Sequence, residues 1–436
     1  MEYLIGLLIF IVVLLGSIAL HEVGHMVPAK RFGVRVSHYM VGFGPTLWSR
    51  TKGETEYGFK AIPLGGYVRL VGMYPPAEAV GNPAARTWVG RLARDARLAS
   101  AEEIRPGEDD RAFYHLSTPK KLVVMLGGPT MNLVIAFVLI AIAFVGIGVP
   151  GPTTTVSSVS ACVIPADAPA NRECASTDEA APGAAAGLRP GDTVVSYNGT
   201  AVDSWDQLTG LIRATGDEAV PVTVDRDGTT VELSVTPVVA ERPVYDANGL
   251  AVLDEDGTPK TSSVGYIGIG PSQETQRESI LQVPGRVATM TGQTAAVVAT
   301  LPTKVGQLWD STVHNTPRDT SSVVGVVGIG RFAGEIAAEN DIDWGLKLAG
   351  LLLMLASLNI ALFVFNLIPL PPLDGGHVAA ALWEGGRRRV AKLRGLPRPG
   401  PFDSAKLVPI AYSVFVLLGA VGLLLIYADL VNPVQI

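Results

Sequence analysis

His21, Glu22 and His25 stand in the pattern His-Glu-x-x-His inside an apolar run covering residues 3–27. On a helix, residues four apart share one face one turn apart, so both imidazoles can reach one Zn²⁺, with Glu22 beside them as general base toward water. Three polar side chains in hydrocarbon cost on the order of several kcal/mol unless something satisfies them, so an ionisable cluster at that depth is a functional site by default. On a water-exposed helix the same five residues would often be a chance match; the apolar surroundings argue against that here.

Two histidines leave a catalytic zinc one protein ligand short, because such sites carry three protein ligands and keep a fourth position open. The best remaining donor is Asp374. It follows Asn366-Leu367-Ile368-Pro369-Leu370-Pro371-Pro372-Leu373, where three prolines must end a helix, and it precedes Gly375-Gly376, which permit a sharp turn. Coordination would offset the cost of a carboxylate at the end of an apolar segment. The plainer role for Asp374 is the N-cap of a helix starting near Gly376. His377 competes as a ligand but ranks lower, with a structural or supporting role expected. Asn132, in Gly127-Gly128-Pro129-Thr130-Met131-Asn132, is either a helix-packing hydrogen bond or a support for the metal site.

The elements that must position these groups are apolar. The chain has 436 residues, 48% hydrophobic and 17% charged, and four stretches approach the roughly 20 residues a spanning helix needs: 3–27, 122–149, 346–370 and 408–426. The first lacks a basic leader and a small-residue cleavage site, so it reads as a span and not as a removable signal. Residues 30–121 carry 15 Lys+Arg against 9 Asp+Glu, residues 150–343 carry 11 against 25, and residues 375–406 carry 7 against 2. The excess of positive charge places the first and last of these segments in the cytoplasm and the acidic one outside, with both termini outside and the metal residues toward the cytoplasmic side.

Between the spans, residues 31–72 read as short strands joined by glycine turns, a β-rich element whose edge could pair with an extended peptide or could serve packing alone. Residues 74–119 read as a solvated loop with one short helix. Outside, strands alternate with turns over residues 153–239 around Gly187-Leu188-Arg189-Pro190-Gly191-Asp192, giving an α+β domain. Beyond it come an exposed hairpin or loop at Asn248 to Gly257 and a helical stretch over 279–309 with apolar Val283, Val287, Met290 and Val297. Cys162 and Cys174 are the only cysteines, both in the external segment, and are expected to form a disulfide. The expected organisation is therefore a polytopic α-helical membrane protein of about four transmembrane helices. The boundaries are span 1 over 1–28, a cytoplasmic region with a membrane-associated β-rich element over 29–119, and span 2 over 120–150. An external α+β domain follows over 151–240, then an external linker and amphipathic helical region over 241–343, span 3 over 344–374, a cytoplasmic loop over 375–406 and span 4 over 407–430.

Taken in order, the HExxH helix, Gly42-Phe43-Gly44, Pro63-Leu64-Gly65-Gly66-Tyr67, Gly127-Gly128-Pro129 with Asn132, and the run from Asn366 through Leu373-Asp374-Gly375 closely resemble the site-2 protease family of intramembrane zinc metalloproteases, particularly the bacterial regulator-of-sigma-E-protease type. The resemblance implies a multi-pass bacterial cell-membrane endopeptidase with one Zn²⁺ per chain. It would cut single-pass transmembrane substrates such as anti-sigma factors after an upstream external protease has shortened them; no nucleic-acid partner is expected. It further implies that the external domain is PDZ-like and excludes uncut substrates, and that Asn366, with Gly42, Phe43 and Gly44, meets the substrate strand. The family's Gly-Pro-Val-Gly-Ile is replaced here by Gly325-Val326-Val327-Gly328-Ile329. A membrane-anchored PDZ scaffold without proteolysis would leave the intramembrane histidines and carboxylates unexplained. A zinc transporter would want charge in the second and fourth spans, which are nearly devoid of it.

Overall fold

The computed structural model describes residues 1–81, 86–165, 172–175, 177–244, 260–314, 316–318, 322–340 and 342–434. In chain order it runs α1 (Glu2–Arg31), β1 (Val36–Lys52), β2 (Thr55–Leu70), α2 (Trp88–Glu102) and α3 (Thr118–Ala141). Next come β3 (Val149–Val159), α4 (Pro182–Ala185), β4 (Thr193–Tyr197), β5 (Thr200–Ala201), α5 (Trp205–Ala214), β6 (Val220–Arg226), β7 (Thr229–Val235), β8 (Val238–Pro243), β9 (Thr261–Tyr266) and β10 (Ile269–Gln276). The chain closes with α6 (Val283–Ala299), α7 (Leu301–Val313), α8 (Val326–Ala338), α9 (Trp344–Asn366), α10 (Asp374–Leu393) and α11 (Val408–Val431). These elements form two compact units: Met1–Gly148 with Arg277–Ile436, and Val149–Gln276.

The first unit holds four helices long and apolar enough to cross a membrane: Glu2–Arg31, Thr118–Ile147, Trp344–Asn366 and Ser404–Val431. In their most apolar windows only 11–39% of residues are buried inside the protein, so most of that surface needs hydrocarbon as its solvent. Small residues set the helix contacts, as expected where lipid removes the hydrophobic drive for helix association. Gly24 of α1 faces Gly127 of α3 so closely that a Cβ on either would overlap the other's carbonyl, and Gly6 of α1 lies against Ala333 and Ala337 of α8.

β1 and β2 double back on each other. Met40 pairs with both Tyr67 and Gly58, and Val41 with both Gly66 and Phe59, so the two long strands make short legs bent at Gly42, Gly44 and Gly65, all at positive φ. The Tyr39 hydroxyl donates to Ala19 O at 2.7 Å, tying the element to α1. Phe43, Leu47, Trp48, Phe59 and Ile62 stay exposed on it. Within the stretch expected to be a solvated loop with one short helix, α2 forms, and it is anchored: its Arg97 makes a buried ion pair of 2.6 Å with Asp403. That pairing joins residues 306 apart, a distance local patterning cannot register.

In the second unit the sheet order is β10-β3-β4-β6-β7, with β5 on β4 and a separate β8-β9 pair. Its core includes Val156, Leu188, Val194, Tyr197, Leu208, Val222 and Val224. Because β10 pairs with β3, the unit runs to Gln276, where the sequence reading set a boundary at 240. The loop at Asn248 to Gly257 lies outside the described residues. Cys162 and Cys174 are joined, with Cα atoms 5.9 Å apart.

The Gly187-to-Asp192 turn is held by charge. Asp192 is buried and accepts from Arg189 N at 2.8 Å, Arg226 Nε at 2.7 Å and Arg226 Nη2 at 2.8 Å. The Arg226 guanidinium holds its carboxyl below the usual carboxylate range. A depressed folded-state pKa gives stability that is present above the unfolded value of about 3.9 and is lost as pH falls through the lower folded value. Amide protection in β4 and β6 is therefore expected to drop below about pH 4, and Asp192→Asn to be weaker at neutral pH with a flatter acid response. Hydrogen exchange showing the same acid response in both proteins would contradict this.

Candidate metal centre

Three lone-pair donors converge where α1, α3 and α10 meet. His21 Nε2 lies 3.3 Å from His25 Nε2 and 3.4 Å from Asp374 Oδ2, and His25 Nε2 lies 3.3 Å from the same carboxylate oxygen. The edge of a tetrahedron with arms of about 2.0–2.1 Å, the usual Zn–N length, is about 3.3–3.4 Å. The triangle thus has the dimensions of three corners of a zinc site.

The donor chemistry fits as well. His25 Nδ1 is 2.8 Å from Val124 O of α3, and donating its N–H there leaves Nε2 with its lone pair toward the triangle. An imidazole lone pair and a carboxylate oxygen at this distance repel unless a cation or proton sits between them. Among the described residues Asp374 Oδ2 and His21 Nδ1 are buried without a conventional hydrogen-bond partner, and Asp374 Oδ2 faces the two histidine nitrogens. Among the described residues these three side chains form a group able to hold a metal ion.

Local sequence explains the placement. His21 and His25 are one turn apart on α1, their ring centroids 4.9 Å apart. Asp374 is the first residue of α10, and the next two, Gly375 and Gly376, let the first turn of the helix press against the backbone of residues 367–371. Ligand geometry and helix-start position therefore coincide at this residue. Gly128 of α3 forms the wall: a Cβ there would overlap His25 Nε2 and stand 2.7 Å from His21 Nε2. Glu22, buried, points to the neighbouring side, where Gly66 of β2 packs on its Cγ.

The other expected residues lie around this centre in different ways. Asn366 ends α9, half-buried, eight residues before α10 begins. Gly42 and Gly44 bend β1 on either side of Phe43, whose ring stacks on Tyr67 at 6.3 Å. Asn132 is fully buried one turn beyond Gly128, and neither of its amide atoms has a hydrogen-bond partner. His377 lies one turn along α10 from Asp374, lining a small cavity with Lys121 and Glu384. The Val124 carbonyl went unread because any residue supplies one. The buried Asn359 amide, which donates to Ser17 Oγ at 3.1 Å, could have been found from a lone amide within an apolar run.

Gly128→Ala should fold but lose zinc, since its methyl would occupy space between the two imidazoles. Gly422→Ala, on α11 with open space around it, should retain zinc. Metal content of the purified proteins checks this; native zinc in Gly128→Ala would contradict the site's shape.

Comparison with known proteins places the chain in a family. The chain is 36% identical over 445 residues to zinc metalloprotease Rip1 of Mycobacterium tuberculosis, covering 100% of both chains. It is 27% identical over 399 residues to metalloprotease MmpA of Caulobacter vibrioides, covering 89% of this chain and 88% of that one. Against zinc metalloprotease RasP of Oceanobacillus iheyensis the figure is 25% over 414 residues, covering 83% and 86%. The model of Peptidase family M50 matches residues 9–396, so the chain belongs to that family and is a zinc metalloprotease.

Proposed function

We propose that the chain cuts transmembrane protein substrates within the bilayer, with His21, His25 and Asp374 as zinc ligands and Glu22 as general base. The observation that carries this reading is a zinc-sized donor triangle with two of its three corners on a helix long and apolar enough to span a membrane. Zinc held by these three side chains would act as a Lewis acid, lowering the pKa of a bound water to about 7. Glu22 takes a proton from the attacking water as its oxygen bonds to the scissile carbonyl carbon. The same carboxyl returns the proton to the amine as the C–N bond breaks.

A helical substrate shields its peptide bonds, so it must unwind before it is cut. The leg of β2 at residues 66–70 pairs with residues 36–41 of β1 on one side, and Gly66 sits against Glu22. A substrate segment added as a further strand there keeps its backbone hydrogen bonds while its carbonyl reaches the centre. Phe43 between its two glycines and the Asn366 amide contact that strand, and Asn132 and His377 support the ligands. The metal side faces the cytoplasm of a bacterial cell, in keeping with the Lys and Arg excess in residues 30–121 and 375–406. The Val149–Gln276 unit is PDZ-like and external, inserted between spanning helices, and turns away substrates not yet trimmed by an upstream protease. Single-pass proteins such as anti-sigma factors have the form this scheme requires.

Glu22→Gln should keep folding and zinc while lowering cleavage of a model transmembrane substrate by about 10²–10⁴-fold, the usual worth of a general base. Asp374→Ala should lose zinc as well. Equal zinc loss in both variants would make Glu22 a ligand and overturn the assignment. Deleting residues 181–239 should preserve zinc and admit untrimmed substrates; a folded, zinc-bound deletion that still rejects them would favour recruitment over filtering.

A further inference from the structure

Glu384, ten residues along α10 from Asp374, is almost fully buried, accepts three hydrogen bonds and pairs with a second cation. Lys121 Nζ of α3 donates to both oxygens, at 3.0 and 2.9 Å, Arg388 Nη1 approaches Oε1 at 2.7 Å, and Phe402 N donates to Oε2 at 2.8 Å. The Lys121 and Glu384 side chains are 7% and 3% exposed, so this is an interior ion pair; without Lys121, Glu384 keeps Arg388 of its own helix but loses its hold on α3. Nothing in the peptide-hydrolysis scheme uses it.

Its place on the two helices gives it a use. Lys121, Val124 and Gly128 are spaced three and four apart and share one face of α3: the first grips α10, the second orients His25, the third walls the donor triangle. Asp374, His377, Ala381 and Glu384 share one face of α10 in the same way. Gly385 lies so close to α3 that a Cβ would stand 2.8 Å from Thr118 Cγ2. The turn before α10 separates it from α9, so where Asp374 sits also depends on the contacts made farther along α10, and a tilt about the Glu384 end carries Asp374 with it. At 1.5 Å per residue, Asp374 sits about 15 Å from Glu384, so a tilt of about 5° moves its carboxylate by about 1.3 Å. A displacement of that size is enough to open a metal site.

We propose that the Lys121–Glu384 pair is a positioning device that aims α10, so that Asp374 completes the donor set held by α1 and α3. Glu384 and Lys121 touch neither metal nor substrate; they set zinc affinity and coordination geometry through Asp374. The inference rests on Asp374 being a ligand.

The test uses the full chain in detergent micelles. Zinc dissociation constants come from competition with a chelator, coordination geometry from the visible spectrum of the cobalt-substituted protein, and fold stability from thermal unfolding of the metal-free forms. Glu384→Asp keeps the charge but shortens the arm. Either the pair breaks or α10 is drawn toward α3, so zinc should bind about 10–100-fold more weakly, with a shifted cobalt spectrum. Lys121→Met should do the same, and Lys121→Arg, which keeps charge and reach, should remain near native. If Lys121→Met fails to fold, the milder Glu384→Asp decides alone. Asp374→Ala retaining zinc would remove the ligand reading and this proposal with it. Asp374→Ala losing zinc while Glu384→Asp keeps native affinity and spectrum, even with a lower melting temperature, would overturn the positioning role alone.

Discussion

Where α1 crosses α3, Gly24 and Gly127 bring two helix backbones into direct contact, and the metal centre can exist only because they do. Lipid gives two apolar helices no hydrophobic reason to associate, so close packing of small residues must supply the attraction. The crossing brings Val124 O within reach of His25 and leaves beside Gly128 a space the size of two imidazole edges. A methyl group on either side would separate the helices and break the hydrogen bond that selects the His25 tautomer.

The remaining polar groups of the first unit follow a related constraint. Buried charge in a membrane protein is tolerated when paired and hydrogen-bonded, and this chain pairs it toward the ends of its helices. Arg97 holds Asp403 just before α11, and Arg318 holds Asp429 near its far end. Asp429 also accepts from Gly325 N and Gly328 N, both at 2.9 Å, and so caps the start of α8. Lys347 of α9 meets Glu2 of α1, and Lys121 meets Glu384. Between these ends the buried surfaces are mainly apolar, with the Asn359–Ser17 hydrogen bond, the Asn132 amide and the metal centre with Glu22 as polar exceptions.

Much of this was legible in the sequence because its signals are local. A four-residue spacing on one helix announces His21 and His25, proline and glycine punctuation announces the turn at Asp374, and apolar length announces the four spans. What the sequence could not display was pairing across distance and chemistry carried by backbone. Lys121 and Glu384 are separated by 263 positions, Arg97 and Asp403 by 306, and each residue alone reads as ordinary cytoplasmic charge. The Val124 carbonyl has no side-chain signature. The doubled register of β1 and β2 depends on where glycines allow a strand to bend, which alternation alone does not specify. The second unit ran past its expected boundary for the same reason: β10 pairs with β3 from the opposite end of the domain.

The central claim is that one zinc is held in the donor triangle by two imidazoles and one carboxylate. X-ray absorption at the zinc edge on the purified full chain tests it most directly. The expected result is one zinc per chain in a four-coordinate shell of nitrogen and oxygen at about 2.0–2.2 Å, with the outer-shell scattering of two imidazole rings. A six-oxygen shell without imidazole scattering, or a shell unchanged when His21 and His25 are both replaced by alanine, would contradict it.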